Sequence, residues 1–246
     1  MAKIHLIMPM GGKGDRFAKR GYDLPKPLIS IYGKPFFYWA TMSILKFNDI
    51  IDLTFVILKE HILKYNIDQH ILKYFPHSHL VILEDILNGP VLTCLKGIEE
   101  INDSFPILFN DCDHLFKSEE LNLACSFDSL YELDGALVTF TSNLPQYSYV
   151  KFNDRQEVIG TVEKVVVSNQ AICGAYLFKN VDLFKRLASS YLQNCEYKEF
   201  FISGMYNEMA KICKNISIFK ADYHVPFGIP EEYDLALKDE HYKELE

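Results

Sequence analysis

The sequence predicts an α/β fold of three layers, with a doubly wound, mainly parallel sheet between helices and mixed strands in the C-terminal half. Three observations carry this expectation. Ile4, Leu6, Ile7 and Met8 form a nearly unbroken apolar run, the mark of a strand buried on both faces of a parallel sheet. Over the first 110 residues, strand and helix patterns alternate, the order of a Rossmann-like sheet whose ligands sit at the strands' carboxyl ends. From about residue 118, strands follow one another with little helix between them, so mixed or antiparallel strands join the same sheet.

The first strand runs into a basic, glycine-rich loop, Met10-Gly11-Gly12-Lys13-Gly14 followed by Asp15-Arg16-Phe17. Glycine lifts the Cβ restriction and lets backbone N–H groups turn toward a ligand, and Lys13, Arg16, Lys19, Arg20 and Lys26 add five cations nearby. That combination suits a polyphosphate. It is not a Walker A loop, since GxxxxGK[ST] is absent; nor does GxGxxG fit, and Asp15-Arg16-Phe17 opens no clean helix.

Residues 28–31 form a short extended piece, and Pro35 starts a helix running through Phe36, Trp39 and Leu45. Residues 53–58 read as a buried strand, 61–74 as a helix ended by Pro76, 79–83 as a third strand, 90–101 as a helix and 106–110 as a fourth strand. Two turns at strand ends are candidate ligand contacts. Asn88-Gly89 precedes the helix at Pro90, so Gly89 can bring backbone close to a flat ligand while Thr93 faces it one turn in. Asp111 and Asp113 follow the fourth strand; alternation along an extended segment would put both carboxylates on one side, able to hold a hard cation such as Mg²⁺. His114 reads as a turn residue, having no second His or Cys at ligand spacing.

Residues 118–130 read as a helix, 135–141, 147–152, 157–167 and 170–178 as strands, 181–192 and 199–213 as helices, 216–219 as a strand, and a last helix begins at Pro230. The paired Glu163-Lys164 on a strand has, by itself, the look of a solvated surface.

With 246 residues, 49% of them hydrophobic, the chain can bury one full core, and it has no linker or repeat that would divide it. The expectation is one domain, 1–246, with residues 1–117 binding a nucleotide and 118–246 an acceptor. A net charge of −8 makes a nucleic-acid surface a poor expectation and leaves the basic loop as a local positive site on an acidic body. The apolar start is too short for a signal segment and no later stretch approaches a membrane span, so the reading is a cytoplasmic protein without a membrane partner. Six cysteines lack C-x-x-C or a His-paired spacing and read as reduced, mostly buried residues. A homo-oligomer is compatible with the sequence.

The longer pattern is more specific. M-G-G-K-G-D-R-F, then L-P-K-P-L at 24–28 and I-Y-G-K-P at 31–35, resembles the signature of the sugar-phosphate nucleotidyltransferases, whose sheet is related to that of the A-type glycosyltransferases. The resemblance extends to N-G-P-V-L-T at 88–93, the family's base-recognition turn; to Asp111-Cys112-Asp113, where the family holds its metal; to E-K-V-V-V-S and G-A-Y-L-F, between 163 and 178; and to G-I-P-E-E-Y-D-L-A at 228–236. It implies that the loop, from Met10 to Gly14, closes over a nucleoside triphosphate, that Arg16 and Lys26 act on the charge that moves, and that Asn88, Gly89 and Thr93 bind the base. It also implies that Asp111 and Asp113 hold Mg²⁺ and that Glu163, Lys164, Gly174 and Tyr176 border a phosphorylated acceptor.

One position departs. The sugar-nucleotide enzymes carry a second metal-holding Asp two residues before the Gly of the last motif, where this chain has Pro226; Asp222 is the nearest substitute, in an uncertain register. Taken as a whole, the resemblance is closer to cytidylyltransferases of capsule modification than to enzymes of UDP- or dTDP-sugars, implying CTP and a phosphorylated small-molecule acceptor. An A-type glycosyltransferase holding a sugar nucleotide on Asp111 and Asp113, and a nucleotide sensor without turnover, are the competing readings.

Overall fold

The computed structural model describes residues 2–245. In chain order the elements are β1 (Ile4–Met10), α1 (Asp15–Ala18), β2 (Ser30–Ile31), β3 (Lys34–Pro35), α2 (Phe36–Leu45), β4 (Ile50–Leu58), α3 (Lys59–Tyr65), α4 (Ile67–Tyr74), β5 (His79–Leu83), α5 (Pro90–Gly97), β6 (Ile107–Asn110) and β7 (His114–Lys117). There follow α6 (Glu119–Ser126), β8 (Gly135–Thr141), β9 (Ser148–Phe152), β10 (Val158–Glu163), β11 (Gln170–Phe178), α7 (Val181–Asn194), α8 (Met205–Ile212), β12 (Ile216–Lys220), β13 (Tyr223–Pro226) and α9 (Pro230–Ala236).

Nine strands form one sheet in the order β10-β9-β11-β6-β1-β4-β5, with β8 beside β11 and β12 beside β8. β1 runs parallel to β4 and β6, and β4 parallel to β5, the expected doubly wound half. β11 lies antiparallel to β6 and β8, and it carries the sheet from the first half of the chain into the second. The apolar runs are apolar for the predicted reason. Leu6, Met8, Phe55, Ile57 and Leu108 pack into one core, while Ile7, Val56, Leu58, Ile107 and Phe109 pack into another across the sheet. Each Phe or Ile buried there is worth about 1.5–3 kcal/mol, so neither face can be exposed cheaply.

Several elements differ from the sequence reading. The helix expected over 61–74 breaks at Asn66, which sits in the left-handed region with φ 53° and separates α3 from α4. A single helical turn, α1, forms where none was expected, held by the burial of Phe17. The strand expected over 157–167 stops at Glu163 because Lys164 turns at φ 55°. The helix expected from 199 starts only at Met205, because Phe200 is committed elsewhere: its N–H donates to the Asn88 carbonyl (3.3 Å) and its carbonyl accepts from Val91 N (3.0 Å).

The largest surprise is a two-stranded antiparallel ribbon, β7 with β13, read from sequence as turn and connection. Leu115, Val225 and Phe227 from the ribbon form a third core with Phe17, Phe36 and Trp39, and the Phe36 and Phe227 rings meet at 4.5 Å. This core clamps α1 and the ribbon to α2, and so fixes the basic loop against the segment around Asp113.

Candidate active site

β1, β6 and α5 converge on the site from below. At Gly11 a Cβ would lie 2.8 Å from the Leu83 side chain and 3.2 Å from Thr93 Oγ1, so the loop lies down on α5 only as glycine. At Gly14 (φ 66°) a Cβ would press the Lys26 backbone. Gly89 has φ 102°, and a Cβ there would stand 2.4 Å from Phe200 N.

Two cavities result. The larger, about 630 Å³, lies between the basic loop (Gly11, Gly12, Lys13, Gly14) and the turn Asn88-Gly89 with Thr93, closed on one side by Glu199 and Phe201. The smaller, about 190 Å³, lies beside the ribbon and the bulge of β11, among His114, Tyr147, Gly174, Tyr176 and Glu232. Arg16, Asp111, Asp113 and Gly228 border both. The site is therefore two compartments joined at a pair of carboxylates and one guanidinium.

The electrostatics of this junction are uneven. Lys26 Nζ donates to Asp113 Oδ2 at 2.7 Å. Burial works to raise the Asp113 carboxyl, but Lys26 outweighs it and holds the group below the ordinary carboxylate range; burial likewise opposes the Lys26 charge, and Asp113 outweighs it and raises the ammonium. Asp111 has no such partner: burial, then the Asp113 charge, push it up to about 7. Two crowded carboxylates, of which only Asp113 is paired with a cation, suit a hard divalent ion, so the donor set fits Mg²⁺. They border the same space through bends at Cys112 and Asp113, not through strand alternation as the sequence reading had it.

A glycine loop for phosphates, a flat slot, and a carboxylate pair leading to a second compartment are the parts of a nucleotidyl transfer site. The family model for nucleotidyl transferases matches residues 5–223. The chain belongs to that family. Among solved structures it is similar to the nucleoside-diphosphate-sugar pyrophosphorylase from Vibrio cholerae RC9 (22% identity, 95% of this chain and 100% of that one, TM-score 0.81). It is similar also to the inositol-1-phosphate CTP transferase from T. maritima (16%, 97% of each chain, TM-score 0.74) and to UDP-glucose pyrophosphorylase complexed with UDP-glucose (18%, 99% and 100%, TM-score 0.74). No curated protein matches the chain in sequence. No helix among the described residues is long and apolar enough to cross a membrane.

Within this family site, most residues singled out from sequence border one of the two cavities: Gly11, Gly12, Lys13, Gly14, Asn88, Gly89 and Thr93 the larger, Gly174 and Tyr176 the smaller, Asp111, Asp113 and Arg16 both, and Lys26 the larger. Met10 borders neither cavity. Its side chain is 2% exposed and packs into the core, because alternation along β1 turns it with Leu6 and Met8. Glu163 does not border either cavity; it accepts hydrogen bonds from the Ser148 and Ser203 hydroxyls and ties β10 to its neighbours. Lys164 is exposed, with its ammonium 5.3 Å over the Phe201 ring and outside both cavity walls. Asp222 is exposed and accepts from Glu119 N at 2.9 Å, capping α6 at the far end of the ribbon from Pro226, which pairs with His114.

Sequence reasoning missed Glu232, which enters the smaller cavity. Its Oε1 accepts from Tyr147 (2.7 Å) and Gln146 (2.6 Å), and its Oε2 from Gly228 N (3.0 Å). The second glutamate of G-I-P-E-E-Y carried that signal, since its place in the first turn of α9 points it back at Gly228.

Two predictions follow from this geometry. Gly89→Ala forces Phe200 away from the slot, and the KM for the nucleotide should rise at least roughly tenfold, the equivalent of about 1.4 kcal/mol, in steady-state assays. Asp111→Asn should stabilise the metal-free protein above neutrality. The folded pKa of about 7 exceeds the unfolded value, so between about pH 4 and 7 the folded wild type holds the extra proton and its stability falls as pH rises. The variant escapes that fall, and denaturant melts in chelator should show a gain of about 2–4 kcal/mol above pH 7 that disappears near pH 4.

Proposed function

We propose that the protein transfers CMP from CTP to a phosphorylated small molecule and releases pyrophosphate, with L-glutamine phosphate as acceptor and CDP-L-glutamine as product, for capsular polysaccharide modification. The observation that supports the transfer is the meeting of the two cavities at Asp111, Asp113 and Arg16, a junction on either side of which a triphosphate and an acceptor phosphate would fit. CTP is supported by the sequence resemblance to cytidylyltransferases of capsule modification and, at fold level, by the likeness to a CTP transferase. The acceptor is supported by Glu232: no cation pairs with it among the described residues, and a carboxylate in the acceptor cavity suits the ammonium of an amino acid better than a neutral sugar ring.

An acceptor phosphate oxygen attacks the α-phosphorus, an O–P bond forms, and the bond from that phosphorus to the pyrophosphate oxygen breaks. The phosphate nucleophile ionises with a second pKa near 6, so no general base is needed and the barrier is electrostatic. The N–H groups of Gly11 to Gly14, with Lys13 and Arg16, hold the departing pyrophosphate; Asn88, Gly89 and Thr93 seat the base; Tyr176 and Glu232 line the acceptor compartment, and Lys164 stands near its rim. Asp111 and Asp113 are the residues to hold Mg²⁺, which when bound neutralises charge on the phosphates. In this proposal residues 1–117 supply the nucleotide half and 118–246 the acceptor half, with Arg16 and Phe201 crossing between them.

Pyrophosphate release from CTP, UTP, dTTP, ATP and GTP, each against L-glutamine phosphate and hexose 1-phosphates with Mg²⁺, tests the reading. Release confined to CTP with L-glutamine phosphate is expected. Release only with a hexose 1-phosphate would replace the acceptor and keep the family chemistry.

A further inference from the structure

We propose that His114, Cys173 and His224 form a second metal site, for a borderline transition ion of the Zn²⁺ class, beside the carboxylate pair and opening on the smaller cavity. One ligand atom from each of the three lies within 4.8 Å of the other two. Tetrahedral Zn²⁺ with two imidazoles and a thiolate needs donor atoms about 3.3–3.8 Å apart, given Zn–N near 2.0 Å and Zn–S near 2.3 Å, so closure takes about 1 Å of side-chain rotation.

The fold brings the three together from far apart in sequence. His114 pairs with Pro226 across the ribbon, so His224, two residues before Pro226, stands diagonally opposite on the same face. Cys173 comes from the point where β11 changes register against β8, between Ile172 and Tyr176. Gly174 keeps the space open, since with φ 97° it runs where a Cβ would lie 3.0 Å from His114 Nδ1.

The state of each ligand favours an ion. Both ring nitrogens of His224 are buried with no hydrogen-bond partner, and a metal would take the lone pair of one of them. His114 Nε2 lies 2.9 Å from Asn110 Oδ1, and Asn110 is itself fixed by donating to the Ala40 carbonyl at 2.9 Å. Asn110 therefore presents its oxygen to Nε2, and the other ring nitrogen faces the Cys173 backbone, a contact that it exchanges for the metal on binding. An outer hydrogen bond of this kind is what orients ligating histidines. Cys173 is 4% exposed and its thiol is raised by burial; on binding, the thiol proton leaves to solvent as the sulfur–metal bond forms. Two nitrogens and a sulfur discriminate against Mg²⁺ and leave a fourth position facing the acceptor compartment.

Co²⁺ titration of chelator-treated, full-length protein tests this without reference to turnover. Wild type should develop a near-ultraviolet thiolate-to-cobalt band and tetrahedral visible bands, reversed by one equivalent of Zn²⁺ and unaffected by excess Mg²⁺. Cys173→Ser should lose the thiolate band, and His224→Ala should weaken Co²⁺ binding by more than the 10–100-fold typical of losing an outer partner. Thermal melts certify that each variant is folded, and either variant suffices. Folded wild type without the thiolate band, or a band that persists in Cys173→Ser, overturns the site.

Discussion

Arg16→Ala should lower kcat by about 100-fold or more while leaving the melting temperature unchanged. Arg16 is exposed at the one-turn helix α1, no hydrogen bond or ion pair engages it among the described residues, and it borders both cavities. Its removal therefore costs the fold only the smallest of the charge contributions that keep Asp113 ionised. In the proposed reaction it removes a positive charge at the junction of the two cavities, where the α-phosphate would change partners, and loss of one preorganised contact of this kind costs about 2.7–4 kcal/mol in the transition state. Because that charge matters most as pyrophosphate departs, kcat should fall with kcat/KM, and the KM for the triphosphate should move less. Arg16→Lys should recover part of the rate, since a point charge replaces a two-pronged donor. A variant with raised KM and normal kcat would reduce Arg16 to ground-state binding.

The first half of the fold was legible because its strands are buried on both faces, and an unbroken apolar run such as 53–58 has few other homes. The second half was legible in its strands but not in its junctions. The ribbon of β7 and β13 escaped because four-residue strands separated by over 100 residues leave no local period, and Asp222 was consequently weighed as a ligand when it serves as a helix cap. Glycine and cation positions of the nucleotide compartment were readable, as each serves a local turn. Beyond the shared junction, the smaller cavity was readable only at Gly174 and Tyr176, because Glu232, His224 and Cys173 come to its wall beside His114 only after the chain has crossed the sheet. His114 looked solitary in sequence for that reason alone: its neighbours come from β11 and β13.

Asp113→Asn should give the largest combined effect, a loss of activity of at least about 100-fold together with a loss of about 3 kcal/mol in stability. The two losses have different origins and can be separated. Stability falls because Lys26, about three-quarters buried, loses the carboxylate 2.7 Å away and is left as an uncompensated charge. The sign of its pH dependence is fixed by the direction of each shift. Asp113 is depressed in the fold, so its contribution is complete above the unfolded carboxylate value of about 3.9 and is lost as pH falls through the lower folded value. Lys26 is raised, so its contribution is complete below about 10.4 and is lost as pH rises through the higher folded value. Between those limits the deficit of Asp113→Asn should shrink from about pH 4 to 7, because without the Asp113 charge Asp111 is pushed up less and wild type loses more stability over that range than the variant. Removing the orphaned charge as well, in Lys26→Met with Asp113→Asn, should restore most of the stability, because a polar residue beside an apolar one needs no counter-ion. Activity should stay lost in the double variant, since the junction then lacks both the carboxylate proposed to hold Mg²⁺ and the cation beside it. Recovery of turnover along with stability would mean that the pair serves only to hold the loop against β7, and the chemistry would have to be carried by Asp111 and Arg16 alone.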